Sequence, residues 1–332
     1  MNLISKCIRF IPYHLYKAKS LSRKVVECKL LKYYSDKSEN TTSVTNENST
    51  TLIFMVDGRM IHGGLSDRLR GMISIYKYAK EHNYDFKIYH RYPFALEDFY
   101  IPSKIDWRIQ NQDLKYNLKE AQPVFVESLG YLFENYTINK VLDNQIKADG
   151  RQYHIYTNVD LAGKQFNKYF NELFTESPYL HASVINLQGM LPHKYNAMVF
   201  RFQQLLGDFS EGHYPTLSKK EQIALIKKCI NKVKDIQSKQ KDKLPFLITS
   251  DSSTFLNEVV KLPNVYIIPG KVVHMDYSIS EKENVYLKSF LDLTLLSHAQ
   301  CVYLLKTGKM YKSGFALRAA LIGNSLYKEI SF

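Results

Sequence analysis

Polar and charged side chains follow three apolar runs in the C-terminal half of the sequence, and their types suit the binding of an anion. The first run, AMVFRF (197–202), carries Arg201 near its end. An arginine there can donate two charge-assisted hydrogen bonds to a phosphate, although such residues are more often surface ion-pair partners. A polar loop beyond this run favours the phosphate interpretation, and it contains Gly207, Asp208, Glu211 and His213.

The second run, FLITS (246–250), leads directly into Asp251, Ser252 and Ser253. These residue types are preferred N-caps, which explains at least one of them without any ligand. A carboxylate in the same position also suits a hydrogen bond from a ribose or a purine. Both interpretations of Asp251 and Ser252 stay open at the level of sequence.

The third run ends at Leu305, after which the chain crosses a short basic loop and enters a helix near Ser313. Backbone N–H groups at the start of that helix, with lysines beside them, would form an anion site. The loop lacks the GxxxxGK[ST] pattern and is therefore not a Walker loop. The alternative is a capped helix next to solvated lysines. The residues concerned are Lys306, Thr307, Gly308, Lys309, Lys312, Ser313 and Gly314.

Alternating apolar runs and helical patterns position these residues. From Asn196 onward we predict strands at 197–202, 246–250, 265–268 and 301–305, and helices at 218–237, 252–261, 282–298 and 314–322. Strands separated by helices imply a parallel sheet, whose ligands bind beyond the carboxyl ends of the strands. All three polar constellations lie at such ends, so we expect them to converge on one ligand.

The N-terminal half repeats this alternation less regularly. We predict strands at 51–56, 85–90, near 124–126 and at 153–157, and helices at 65–82 and 164–174. The loop DGRMIHGG separates the first strand from the first of these helices. We place the boundary near 190–195, which gives α/β domains at 52–192 and 193–332.

Residues 1–35 are strongly basic, with a net charge of +7 out of +13 for the 332-residue chain. Cations alternate there with apolar residues, as in an amphipathic helix on an anionic membrane surface. A basic first helix packed on its own domain is the alternative. Residues 36–51 contain no large hydrophobic side chain, which predicts a disordered tether.

Four scattered cysteines lack both metal-site and disulfide spacing, so we expect reduced thiols in a cytoplasm, with the protein free or peripheral on the inner face of the membrane. No apolar run approaches the length of a membrane-spanning helix. The cations after residue 51 are dispersed rather than arranged in a stripe, so we expect no nucleic-acid partner.

These motifs resemble the fucosyltransferase superfamily of nodulation, core α1,6- and protein O-fucosyltransferases. VFRF followed by LGD resembles the family motif HxRRGD, with Arg201 at the motif arginine and Gly207 and Asp208 displaced by an insertion. ITSDSSTFLNEV resembles the second motif and places Asp251 at a nucleoside-binding position. FLDLTLLSHAQCVYLL with SGFALRAAL resembles the last motif, which contains Asp292 and Ser313. GGLSDRL (63–69) resembles the Gly-rich opening and contains Gly63, Gly64 and Asp67.

This resemblance covers roughly 51–327 and implies a GT-B-like fold, in which two Rossmann-type domains face a cleft. It further implies an inverting transfer without cofactor or metal, in which Arg201 binds the β-phosphate of GDP-fucose. Glu211 is the expected general base, with Asp208, His213 and His62 as alternatives. The implied acceptor is a glycan or lipid-linked oligosaccharide of a bacterial surface polysaccharide.

Two residues depart from the family pattern. Val199 stands where a histidine usually helps to hold the guanine, which leaves room for another nucleotide sugar such as a GDP-deoxyheptose. Asp67 replaces an asparagine, and we expect it either to cap its helix or to be neutralised by Arg68. Other classes considered are a sulfotransferase, which would need a Ser/Thr-rich loop at 57–64, and a non-enzymatic binder of anionic polymers.

Overall fold

Parallel sheets organise both halves of the chain in the computed structural model, which describes residues 21–38, 49–127, 134–209, 215–276 and 284–332. In chain order the strands are β1 (Thr51–Val56), β2 (Asp85–His90), β3 (Tyr100–Pro102), β4 (Ala121–Val126), β5 (Gln152–Thr157), β6 (Phe174–Glu176), β7 (Asn196–Phe200), β8 (Phe246–Ser250), β9 (Val265–Tyr266), β10 (Cys301–Lys306) and β11 (Leu326–Ser331). The helices are α1 (Leu21–Ser38), α2 (Leu65–His82), α3 (Glu134–Gln145), α4 (Phe166–Leu173), α5 (Pro178–Gln188), α6 (Lys219–Lys239), α7 (Ser253–Val259), α8 (Asn284–Ser297) and α9 (Phe315–Gly323).

The chain divides into two compact units, each with its own parallel sheet. The first contains the described residues up to Gly63 together with Asp67–Ala95 and Pro102–Phe174, and its sheet has the order β2-β1-β5-β4. The second contains Thr175–Phe332, and its sheet has the order β11-β10-β7-β8-β9. The short segments Gly64–Ser66 and Leu96–Ile101 also belong to the second unit. The predicted α/β class and the parallel pairing in both sheets are confirmed.

The central strands of the second sheet are buried along their whole length, as their continuous apolar sequences predict. β7 ends at Phe200, two residues earlier than predicted, so Arg201 lies just beyond the strand. Sequence analysis missed β11, because its sequence LYKEIS keeps polar and charged residues on an exposed edge. β11 pairs with β10 along six residues of register.

The second unit begins well before the boundary near 190–195, because α5 belongs to it. Ser177 caps α5 by accepting a hydrogen bond from the Leu180 N–H. α5 packs against α8, and the Tyr179 ring lies 6.3 Å from that of Phe99 in the same unit.

The described part of the basic N-terminal segment is a helix packed on its own unit. Leu30 of α1 is buried in a cluster with Ile53, Met55 and Tyr156. Tyr34 of the same helix is fully buried. For residues 21–38 the second of the two interpretations therefore holds. α1 extends to Ser38 into the predicted tether, whose residues 39–48 lie outside the described residues, as do residues 1–20. Among the described helices, none combines the length and apolar composition needed to cross a bilayer.

Candidate functional site

Asp251 joins the loop after β8 to the loop after β7. Parallel pairing sets Phe200 opposite Ser250, which brings the residues that follow each strand side by side. The Asp251 carboxylate accepts hydrogen bonds from the N–H groups of Phe202 (2.9 Å) and Gln203 (2.7 Å). It is 4% exposed, and burial raises its pKa while the nearby Arg201 limits the rise. Asp251 therefore shapes the loop that follows β7.

Arg201 is held from two sides at the carboxyl end of β7. Its Nε lies 3.3 Å from Asp251 Oδ2, and its guanidinium packs over the Phe209 ring at 4.4 Å from the centroid. The carbonyl of Arg201 accepts a hydrogen bond from the Tyr311 N–H (3.1 Å), which belongs to the loop after β10. The loops after β7, β8 and β10 thus meet at Arg201. Its side chain remains 18% exposed.

Asp208 and Ser252 form a second link between the first two loops. Asp208 Oδ2 accepts hydrogen bonds from the Ser252 hydroxyl (2.9 Å) and the Thr254 N–H (2.7 Å). Ser252 in turn accepts the Phe255 N–H (3.1 Å), which makes it the N-cap of α7. The capping interpretation therefore describes Ser252. The other Asp208 oxygen, Oδ1, is buried and has no hydrogen-bond partner among the described residues.

A cavity of about 640 Å³ opens beside this link, entirely within the second unit. Its wall combines a carboxylate, an aromatic ring, hydroxyls, amides and one cation. Pockets of this size commonly hold ligands as large as a nucleotide. The lining residues are Gln204, Gly207, Asp208, Phe209, Thr216, Ser253, Thr254, Asn257 and Lys271.

Two of the lysines at and after the end of β10 pair with an acidic residue on the unpredicted edge strand. Lys306 and Lys312 both pair with Glu329 of β11, at 2.9 and 2.7 Å. Hydrogen bonds from Lys312 and then Lys306 lower the pKa of Glu329. These two lysines therefore share one carboxylate, and the anion site expected at this loop stays a prediction.

Hydroxyl groups of the same loop serve local structure. Thr307 Oγ1 accepts a hydrogen bond from Lys228 Nζ (2.7 Å) and donates one to the Phe332 carbonyl. Ser313 Oγ accepts the Phe315 N–H (3.2 Å), and Gly314 is the N-cap residue of α9. The structure favours the alternative of a capped helix beside a basic loop. The backbone of this loop contacts Arg201 through the Tyr311 N–H.

The Gly-rich loop of the first unit is held by a buried arginine. Gly63 has φ +82°, and an added Cβ would lie 2.6 Å from Asp67 Oδ2. Asp67 pairs with Arg70 at 3.0 Å. Arg68 is fully buried and donates to the carbonyls of Gly63 (3.1 Å) and Tyr92 (2.7 Å). Asp67 is thus paired with a cation one turn further along its own helix.

The structure describes two of the four candidate general bases, His62 and Asp208. His62 is buried, and burial together with Arg68 lowers its pKa to about 3, which makes it a poor base at neutral pH. Asp208 is committed through Oδ2 to the start of α7. Glu211 and His213 lie outside the described residues.

Sequence analysis missed Lys271, Asn257 and Phe209 as part of the site. Lys271 follows β9, the one predicted strand whose carboxyl end was not searched for polar residues. Applying the strand-end rule to all four predicted strands would have found it. Asn257 lies on α7, where the sequence pattern indicates only a polar helix face.

Comparisons with known proteins identify the fold. No family model matches the chain, and no curated protein sequence matches it. Among solved structures, the fucosyltransferase NodZ from Bradyrhizobium is similar, with a TM-score of 0.54 and 12% identity over 83% of this chain and 93% of that one. NodZ α-1,6-fucosyltransferase co-crystallised with GDP is also similar, with a TM-score of 0.53 and 12% identity over 83% of this chain and 93% of that one. FUT1 of Arabidopsis thaliana in complex with GDP has a TM-score of 0.51 and 12% identity over 98% of this chain and 78% of that one. The chain therefore has the GT-B-like fold of these proteins, as the motif resemblance implied.

Proposed function

We propose that this chain is a glycosyltransferase that transfers L-fucose from GDP-fucose to a glycan. One observation carries the proposal: the Arg201–Asp251 pair lies at strand ends of the second sheet, on the same loops as Asp208, which lines a nucleotide-sized cavity. The fold is shared with fucosyltransferases that were crystallised with GDP. Ligands of open parallel sheets bind at this edge.

We assign the nucleoside to the cavity. The Phe209 ring offers a flat wall, and the buried Asp208 Oδ1 is an acceptor suited to an N–H or O–H group of a base or ribose. A ligand donor would also remove the cost of leaving that oxygen without a hydrogen bond. Asp251 acts through Arg201 in this assignment, since its oxygens are directed to the loop backbone and to the guanidinium.

We assign the donor diphosphate to Arg201. Asp251 and the Phe209 ring hold its guanidinium, so little side-chain freedom is lost when a phosphate binds. Lys271 adds a positive charge to the cavity wall. Thr307, Ser313, Gly314, Gly63 and Gly64 remain candidates for backbone contacts to the donor.

The proposed reaction is an inverting displacement that requires neither cofactor nor metal. An acceptor hydroxyl attacks the anomeric carbon, the bond from that carbon to the β-phosphate oxygen breaks, and GDP leaves. Arg201 stabilises the negative charge that develops on the leaving diphosphate. Glu211 takes the proton of the acceptor hydroxyl. The acceptor class proposed from the resemblance is a surface glycan or lipid-linked oligosaccharide, modified on the cytoplasmic side of a membrane.

Release of GDP from GDP-fucose, with water or added glycans as acceptors, tests this function. We expect Arg201→Ala to lower kcat/KM about 100-fold, because removal of one charge-stabilising donor costs factors of this size. Arg201→Lys should recover part of the loss. Arg108→Ala is the matched control, since this arginine is 50% exposed and pairs with Asp106, two residues away.

Turnover of donor substrates other than GDP-fucose would count against parts of the proposal. Turnover of a GDP-deoxyheptose in preference to GDP-fucose would keep the reaction and change the sugar. Turnover of a UDP-sugar or of a sulfate donor, or equal activity of Arg201→Ala and wild type, would contradict the assigned donor site.

A further inference from the structure

α1 has an inner face that fixes it to the first unit. Leu30 is 3% and Tyr34 0% exposed, and the Tyr34 hydroxyl forms a hydrogen bond with His154 of β5. Arg59, in the loop after β1, lies over the neighbouring Tyr33 ring at 3.6 Å from the centroid. α1 is therefore attached to the sheet through side chains on one side of the helix.

The opposite side of α1 is exposed and basic. Lys24, Lys29 and Lys32 are all exposed. At about 100° per residue they cover an arc of roughly 140°, with Lys32 almost opposite the direction of Leu30 and Tyr34. The outer face carries one exposed acid, Asp36, at its C-terminal end. Its net charge is therefore positive.

Two apolar side chains lie among these lysines. Val25 is 50% exposed and Leu31 44% exposed. Lysines with exposed aliphatic neighbours match the chemistry of an anionic lipid surface, where charges meet headgroups and apolar side chains enter the boundary with the acyl chains. A soluble polyanion would use only the charges. The sequence immediately before α1 continues the same composition, with Lys17 and Lys19 beside Leu15 and Tyr16.

We propose that the outer face of α1, formed by Lys24, Val25, Lys29, Leu31 and Lys32, docks the first unit on an anionic lipid bilayer. The surface is preformed, because the inner face already fixes α1 to the sheet. This role rests on the proposed function: docking would hold the first unit at the membrane that carries a lipid-linked acceptor. The attraction should weaken as salt is added, since surface charges are screened within about 10 Å at 0.1 M salt.

Flotation with phosphatidylcholine vesicles, with and without phosphatidylglycerol, tests the proposal on the full chain. Wild type should float with the anionic vesicles only. The triple variant Lys24→Glu/Lys29→Glu/Lys32→Glu should partition at least about 100-fold more weakly, since each lysine near an anionic surface contributes about fivefold. A matched control is Lys220→Glu/Lys227→Glu/Lys234→Glu, which changes the net charge equally on the exposed side of α6. This control should partition within about threefold of wild type.

A second variant addresses the apolar part of the surface and does not depend on charge. Val25→Ser/Leu31→Ser should weaken partitioning several-fold while retention on a heparin column stays unchanged. Far-UV circular dichroism and the GDP-induced thermal shift confirm that each variant is folded. Turnover of GDP-fucose with a water-soluble acceptor should be the same in all of them, which separates docking from the proposed transfer.

Three results would overturn the docking surface. The first is failure of wild type to float with anionic vesicles. The second is flotation of the α1 triple variant like wild type. The third is equally weakened partitioning of both triple variants. The last result would show that overall charge, and not α1, determines binding.

Discussion

The Nε atom of Arg201 lies 3.3 Å from Oδ2 of Asp251, a carboxylate that also accepts the N–H groups of Phe202 and Gln203. Sequence analysis assigned these two residues separately, one to a diphosphate and the other to a nucleoside. Their contact shows that the aspartate positions the arginine. Both the stability of the second unit and the affinity for a nucleotide then depend on this pair.

Asp251→Ala should lower the free energy of unfolding by about 3–5 kcal/mol, because it removes a buried carboxylate that accepts two backbone N–H groups and pairs with a half-buried guanidinium. Asp251→Asn should lose about 1–3 kcal/mol, since its amide oxygen still accepts one bond. Urea denaturation measures both. The control Asp106→Ala removes a carboxylate that is 55% exposed and should change stability by less than about 1 kcal/mol. Equal stability of Asp251→Ala and this control would show that the pair is not structural.

Gly63→Ala should destabilise the first unit by about 1–3 kcal/mol, because its φ of +82° disfavours any residue with a side chain. The added Cβ would also lie 2.6 Å from Asp67 Oδ2. Gly64→Ala is the adjacent control, since no atom lies within 4 Å of its added Cβ, and it should change stability by less than about 1 kcal/mol. Thermal unfolding compares the melting temperatures of the two variants. Similar values would contradict the geometry of this loop.

Two buried histidines should make the first unit less stable in acid. Burial, with Arg68 or Arg59 nearby, lowers the pKa of both His62 and His154 to about 3. The unfolded chain binds these protons near pH 6.5 while the folded chain does not, so their contribution is complete above pH 6.5 and is lost as the pH falls toward 3. Between pH 7 and 5 each histidine should reduce stability by about 2 kcal/mol.

His154→Gln tests this dependence, because it removes one of these buried histidines. Its free energy of unfolding should fall between pH 7 and 5 by about 2 kcal/mol less than that of wild type, whatever its stability at pH 7. Urea titrations at both pH values provide the comparison. Identical pH slopes for variant and wild type would mean that His154 is protonated in the folded protein.

Lys312→Ala should change the dissociation constant for GDP by less than about threefold, since Lys312 is paired with Glu329 rather than presented to a ligand. Arg201→Ala should weaken GDP at least about tenfold, because charge-assisted hydrogen bonds to a phosphate contribute about 1.5–3 kcal/mol. Isothermal titration calorimetry measures both. A larger effect for Lys312→Ala would restore the anion site that sequence analysis placed after β10.

Much of the fold followed from the sequence, because strands buried on both faces are continuous apolar runs and their helices show regular spacing. β7, β8 and β10 were predicted within two residues, and this brought Arg201, Asp208 and Asp251 to one edge of the sheet. The direction in which each side chain points could not be predicted. An aspartate after a strand suits a ligand and a loop backbone equally well, and only the register of β7 and β8 distinguishes them.

The loop after β10 shows a different limit. Its lysines indicated an anion site at the level of sequence. The acidic residue that pairs with two of them could not be found there, because it lies on β11, a strand with no apolar run. Phe209 joins the cavity through a loop path that local patterns do not specify.

Thermal shift with GDP, UDP, CMP and 3′-phosphoadenosine 5′-phosphate, on wild type and on Arg201→Ala, tests the central claim most directly. A ligand that binds only the folded protein stabilises it by RT ln(1 + [L]/Kd), about 2.7 kcal/mol at a concentration of 100 Kd. We predict that GDP alone raises the melting temperature of wild type and that Arg201→Ala loses this response. A response to the adenosine compound, no response to any nucleotide, or an unchanged GDP response in Arg201→Ala would contradict a GDP-sugar site built around Arg201.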